Sequence, residues 1–373
     1  MILYHSQSVR HAGPRGSSVF AAAFTLVEIL VSLAVLTILL LVSAQVIGQV
    51  QSTWAASNAR VSQFREARTA FDIITRNLSQ ATLNTYIDYK SNYLEGDDGD
   101  VDPGATVAST GPGRYIRKSD LQFRCGPTSL LLNASSEKLP GHAVFFQAPL
   151  GVAQEADLVG LDRLLCGRGY FVQYSDDRFF KPEFLKTGAL KYRYRLMEFS
   201  PPAEKNLIYS SPPKEDAITD DWYALAGAGG AAEDQGQLMT RPVADNILTL
   251  IISPQVETGA TGTAVTKTLI APQYAYNSAA IGQAMANSTQ GTQHLLPPLV
   301  RIVLVAIDER SAERLSPSEE DTSGPLKGAL SAFSQASQLD DELETLQAVL
   351  RQKRLNFRVF SAVVQLRGSK WST

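Results

Sequence analysis

The sequence predicts an α+β protein, with one long amino-terminal helix segregated from an antiparallel, β-rich head. Two observations carry this. No proline occurs between Pro14 and Pro103, and apolar residues from Phe24 onward keep helical spacing. Beyond Asn84, Gly, Pro, Asp and Ser punctuate short apolar runs of strand length. With 373 residues, the chain is long for one compact domain and short for three. At 44% hydrophobic and 19% charged residues it has an ordinary globular average. That average conceals how unevenly the apolar residues are spread.

The first element is the helix. Residues 1–23 hold Arg10 and Arg15 and no acid, and end in three alanines. Phe24–Ile47 follows, with 18 apolar residues of 24. At 1.5 Å per residue it spans about 36 Å, enough for a bilayer core. The preceding arginines predict a cytoplasmic amino-terminal side. Past Ile47, Val61, Phe64, Phe71, Ile74, Leu78 and Ala81 recur at helical steps, while Arg60, Arg65, Glu66, Asp72 and Arg76 lie off that stripe. A helix from Phe24 to about Thr82 would be roughly 88 Å long. Gly48 is where it would bend or loosen. The simpler alternative is a membrane anchor followed by an unrelated soluble helix.

Glu28 is the only charge between Phe24 and Ala59. A carboxylate within a membrane helix costs roughly 2.5–3.5 kcal/mol on insertion scales. It is tolerable at the interface, one turn from the helix start, where the dipole favours an acid. It is also tolerable opposite a cation.

The string AFTLVEILVSLAVLT, Ala23 to Thr37, resembles the prepilin-type processing site of type IV pilins and type II secretion pseudopilins. The resemblance implies a cut between Ala23 and Phe24 by a membrane prepilin peptidase, and methylation of the new Phe24 amine. It implies that Glu28 is the assembly carboxylate, neutralising the amine of a neighbouring subunit. Where the family usually has Gly before the cut, this chain has Ala23. A rival assignment makes residues 29–41 the apolar region of a secretory signal, cut after Val42-Ser43-Ala44. That assignment leaves Glu28 and the FTLVE string without a role.

Strand-like segments follow at Asp120–Cys125, His142–Ala148, Gly169–Ser175, Lys191–Phe199, Asn246–Ser253, Leu299–Ile307 and Asn356–Leu366. In KYRYRLMEF, alternation puts Tyr192, Tyr194 and Leu196 on one face. RIVLVAI is apolar almost throughout, as in a strand buried on both faces. A late helix from Ser337 to Gln352 is marked by Leu339, Leu343, Leu346 and Leu350, after a polar insertion at Glu313–Gly328. Residues 91–113 and 255–293 read as long loops.

The run FREARTAFDIITRNLSQA resembles the corresponding helix of J-type minor pseudopilins. HAVFFQAPLG, LLCGRGYFVQYSDD, YRYRLMEFSPPAE, RPVADNILTLIISP, LPPLVRIVLVAIDERSAERL and RLNFRVFSAVVQLRGSKW together resemble the Verru_Chthon cassette protein C family, pilin-like proteins encoded with sister proteins. The resemblance runs from about Phe24 to Trp371. It implies a pilin-like lollipop: leader 1–23, long helix 24–83 with residues 24–47 transmembrane, and a periplasmic head 84–373 with a helical insert at 337–352. The implied protein is a single-pass inner-membrane subunit of a type II secretion or type IV pilus-like assembly. Its partners would be the prepilin peptidase and sister pilin-like subunits. The alternative function is a membrane-tethered envelope protein whose head binds a polysaccharide or protein through the long loops.

Other chemistry finds little footing. A net charge of −3 gives a nucleic-acid partner no electrostatic support. Four His and two Cys supply few ligands for zinc or haem, so no metal or cofactor is expected. Asp98, Asp100 and Asp102 alternate as in a calcium loop, but Pro103 stands where such a loop needs Gly and Ser109 where it needs Glu. Residues 227–232 match a loose dinucleotide fingerprint without the strand that should precede it. His142 and His294 fall in no catalytic pattern, and no enzyme is expected. Cys125 and Cys166 are either a bridge or two buried thiols. A bridge closing 41 steps would contribute about 4 kcal/mol in the chain-entropy account.

Overall fold

A computed structural model of the chain describes residues 25–90, 114–158, 160, 164–178, 181–182, 184, 188, 190–209, 220–227, 239–258, 266–280, 290–315 and 324–370. The chain divides into two compact units, residues 1–58 and 59–373.

The described part of the first unit is helical. Helix α1, Leu26–Ser79, is 54 residues long and its helical hydrogen bonding continues through Gly48. Within its first 30 residues, Leu26–Ala55, an 18-residue window has a mean hydropathy of 2.7, and none of the 30 is buried. By length and composition this segment can cross a membrane: about 45 Å of helix against a hydrocarbon core of about 30 Å. Three hydroxyls within it turn back onto their own helix. Ser32 Oγ donates to Glu28 O at 2.7 Å, Thr37 Oγ1 to Leu33 O at 2.7 Å, and Ser52 Oγ to Gln49 O at 2.9 Å. Such bonds leave those hydroxyls satisfied without water.

The second unit is mixed helix and antiparallel sheet. Its strands are β1 Tyr86–Lys90, β2 Arg114–Lys118, β3 Arg124–Pro127, β4 His142–Pro149, β5 Leu165–Ser175, β6 Arg193–Phe199, β7 Thr240–Asp245, β8 Ile247–Thr258, β9 Thr266–Leu269, β10 Tyr276–Asn277, β11 Leu299–Ile307 and β12 Phe357–Gln365. The α-helices of seven or more residues are the end of α1, a short α2 at Glu309–Leu315 and α3 at Leu339–Gln352; Thr128–Leu131 and Lys327–Leu330 each form a single helical turn. A six-stranded sheet has the order β10-β3-β4-β5-β6-β7, a four-stranded sheet the order β12-β11-β8-β9, and β1 pairs with β2 alone.

The end of α1 packs because its apolar residues share a face. Ala67, Ala70, Phe71, Ile74 and Leu78 are buried, while Arg65, Arg68, Asp72 and Arg76 are exposed. Phe64 is half-buried, as the stripe requires, and Val61 has no described side chain. This face joins Val144, Phe146, Tyr170 and Val172 of the six-stranded sheet in one core. Tyr194 and Leu196 belong to that core and Tyr192 packs against it, as the alternation of KYRYRLMEF predicts. The opposite face of the same sheet builds a second core. There Phe145 stacks on Tyr223 at 4.3 Å and meets Trp222 edge-on at 6.2 Å, both from the 3₁₀ turn Asp220–Gly227. With both faces covered, all seven residues of β6 are buried.

The four-stranded sheet also carries helix on both sides. Arg301 of β11 pairs with Asp340 of α3 at 2.6 Å, which places α3 on one face. Leu304, three residues on, alternates to the other face. It stands opposite Phe360 of β12, whose ring lies 5.9 Å from that of Phe71 in α1. Leu339, Leu343, Leu346 and Leu350 are all buried. Each such side chain contributes roughly 1.5–3 kcal/mol of transfer free energy.

Several expectations are corrected. The strand expected over Asp120–Cys125 is shorter, because backbone N–H groups before Arg124 bond side chains instead of a ladder. The Asp120 N–H goes to Asn84 and the Phe123 N–H to Ser278. The expected loop 255–293 contains the end of β8 together with β9 and β10. The polar insertion expected at Glu313–Gly328 begins inside α2.

The Cys125–Cys166 bridge is ruled out by register. Cys125 stands opposite Val144 and Cys166 opposite Ala148, on the two strands that flank β4. Those partners are separated by about 13 Å along β4, and the flanking strands by about 9.5 Å. A bridge needs Cα atoms within about 7 Å. Both thiols are free and buried.

Candidate functional site

The start of α1 is built around Thr25 and Glu28. The Glu28 N–H lies 3.3 Å from Thr25 Oγ1 and 3.0 Å from Thr25 O, and the Ile29 N–H donates to Thr25 O at 3.2 Å. Thr25 is therefore the N-cap, and Glu28 is the third helical residue. This is the T-x-x-E spacing of a capping box, in which the acid also sits in the favourable field of the helix amino terminus. Glu28 is exposed, as are its apolar neighbours Leu26, Val27, Ile29 and Leu30. Ala23 and Phe24, the expected processing pair, lie outside the described residues.

Within the second unit, α1 is held by a polar relay as well as by its apolar stripe. Asn77 Nδ2 donates to Tyr170 OH at 2.7 Å, and Tyr170 OH donates to Glu198 Oε1 at 2.7 Å. Arg241 donates to Glu198 Oε2 through Nε at 2.9 Å and Nη2 at 2.7 Å. The relay runs from α1 across β5 and β6 to β7, and Asn77, Tyr170 and Glu198 are buried. Burial, then the Glu198 charge, pushes the Tyr170 phenol up, so it remains a donor. Nearer the middle of α1, Glu66 Oε1 accepts the Asp245 N–H at 3.3 Å. Desolvation raises the Glu66 carboxyl, with help from the charges of Asp245 and Glu309 and against the Asp245 N–H.

These contacts join α1 to the strands of the sheet. His142 opens β4 and is buried beside Tyr274, ring centroids 4.4 Å apart. Its Nδ1 accepts the Ile252 N–H of β8 at 3.2 Å. His294 lies in the turn before β11, where its carbonyl accepts from Thr85 Oγ1 at 3.0 Å. An open cleft of about 530 Å³ has Thr82, Asn84, Leu121, Leu165 and Arg367 among its lining residues. No nucleophile with an adjacent base lines it.

No group of three or more metal-ligating side chains occurs among the described residues. The Asp98, Asp100, Asp102 turn lies outside them. Of the glycine-rich stretch 227–232, Gly227 alone is described, at the end of a 3₁₀ turn rather than after a strand.

The Thr25 cap has a local sequence signal in the T-x-x-E spacing of Thr25 and Glu28. The relay had no such signal, since Asn77 and Tyr170 are 93 positions apart. Comparison of the chain with protein-family models, curated proteins and solved structures finds no match.

Proposed function

We propose that the protein is a pilin-like structural subunit of the minor pseudopilin type. On this reading a prepilin peptidase cuts between Ala23 and Phe24 and methylates the Phe24 amine. The subunit sits in the inner membrane with its amino terminus cytoplasmic and its head in the periplasm. There it assembles with sister pilin-like subunits in a type II secretion or pilus-like structure.

One observation carries the reading. Glu28 is the sole charge on an exposed apolar helix segment, and it stands five residues into the chain that a cut before Phe24 would release. A carboxylate there is costly in hydrocarbon unless a cation meets it. The methylated amine of a neighbour is a cation at the matching depth. Such a pair in low dielectric offsets its own desolvation only with good geometry, so it sets register more than it adds affinity. The burial of Ala67, Ala70, Phe71, Ile74 and Leu78 at the end of α1 supports the reading too, because it gives the carboxy-terminal turns of the helix a place in the core of the second unit.

The test is co-purification with the sister subunits from membranes, using Glu28→Gln and Glu28→Ala. Gln keeps a hydrogen-bonding side chain for the cap and removes the charge alone. Loss with both variants is the expected result. Retention with Gln would reduce Glu28 to a capping residue and contradict the assembly role.

A further inference from the structure

Strand edges expose unpaired N–H and C=O groups, and proteins usually shorten or interrupt them. Three outer strands of the two large sheets follow this rule. β10 has two residues and β9 four. β7 contains Pro242 and a register break against β6 between Leu196 and Met197. β12 does not follow it. It closes the four-stranded sheet with nine residues, no proline, and unbroken register from Phe357↔Ile307 to Gln365↔Leu299. Val363, near its end, is 46% exposed. Among the described residues no strand lies beyond it.

The charge around this edge is one-sided. Residues 351–370 hold Arg351, Lys353, Arg354, Arg358, Arg367 and Lys370 and no acid, in a chain of net charge −3. All six are exposed. Among the described residues none forms an ion pair. Arg358 lies over the Phe360 ring on the strand itself, 5.6 Å from its centroid.

We propose that the open edge of β12 accepts an additional antiparallel or parallel strand from a partner polypeptide whose extended, partly apolar segment is acidic. Backbone pairing would supply the affinity, and the cations at both ends of the strand would supply the selectivity. A second copy of this chain is a poor occupant, because pairing β12 with itself brings two wholly basic segments together. The proposal stands apart from the pilin-like reading and does not need it.

The test uses the full chain in detergent and a fluorescent nine-residue peptide alternating Val with Asp, Glu and Thr. Anisotropy should show binding that weakens as salt rises. A peptide with Lys in place of each acid should bind at least tenfold more weakly, and so should the acidic peptide to Arg358→Glu. Lys353→Glu lies outside the β11–β12 ladder and cannot disturb it; a loss of threefold or more is expected. Peptides N-methylated at alternate residues should fail on the edge-facing set. Equal binding of acidic and basic peptides, full binding to both variants, or no effect of N-methylation on either set would overturn the proposal. So would binding seen only after removal of residues 91–113, which would assign the edge to the chain's own acidic segment.

Discussion

The amide of Asn77 donates to the hydroxyl of Tyr170 at 2.7 Å, joining helix α1 to the middle of the six-stranded sheet. Both residues are buried, and the hydroxyl passes its own proton toward Glu198. Tyr170→Phe deletes one atom and leaves two buried partners unsatisfied, the Asn77 donor and a Glu198 oxygen. Stranded groups of this kind cost about 1–3 kcal/mol each. Thermal unfolding should move down by several degrees, at about 1.5 °C per kcal/mol for a body of about 300 residues. Arg76→Ala, one residue from Asn77 but exposed, should change it by less than one degree. Equal effects from the two variants would show that the relay does not hold the helix.

His142 makes stability depend on pH. Burial depresses its pKa to about 4, against smaller upward contributions from the Phe333 backbone, the Glu342 charge and the Ile252 backbone. The ring must stay neutral, because Nδ1 accepts the Ile252 N–H. The unfolded chain, with an ordinary histidine near 6.5, binds the proton more readily over this interval. The stability that the neutral ring provides is therefore present above pH 6.5 and is lost as pH falls toward 4, amounting to about 3 kcal/mol. His142→Asn offers an uncharged acceptor in nearly the same place. Urea unfolding from pH 7 to pH 4 should show a shallower loss in that variant than in the wild type. Parallel curves would remove His142 from the account.

The two thiols should be silent in the folded protein. Burial pushes Cys125 up to about 12, and its Sγ lies 3.6 Å from Tyr274 O. Cys166 Sγ lies 3.4 Å from Val152 O. A thiol-reactive reagent should find neither in native protein and both in denaturant, with the same count whether or not a reductant was present. A count that rises only after reduction would restore the bridge that the strand register excludes.

How much of this was legible beforehand follows from which forces are local. The α1 stripe, the leucines of α3 and the apolar run of β11 could be read because each buries one face at its own period. The apolar run predicts a strand over Leu299–Ile307, the span β11 has in the fold. β9 and β10 read as loop in the sequence because a strand of two to four residues has no period to show. β7 is hidden in the sequence because Pro242 argues against a strand, and an edge is where a strand tolerates it. The Asn77–Tyr170 contact depends on sheet order, which no local pattern encodes. The Thr25 cap is local and legible in T-x-x-E: the same Glu28 that stands alone as a charge in the apolar segment is also the third residue of its own cap.

The central claim is that Phe24 is the first residue of the working protein. Intact-mass and peptide mass spectrometry of the chain purified from its native membranes tests it most directly. The account predicts a mature chain that begins at Phe24 with a methyl group on its amine. A chain beginning at Gln45, or one that retains Met1 through Ala23, would contradict it.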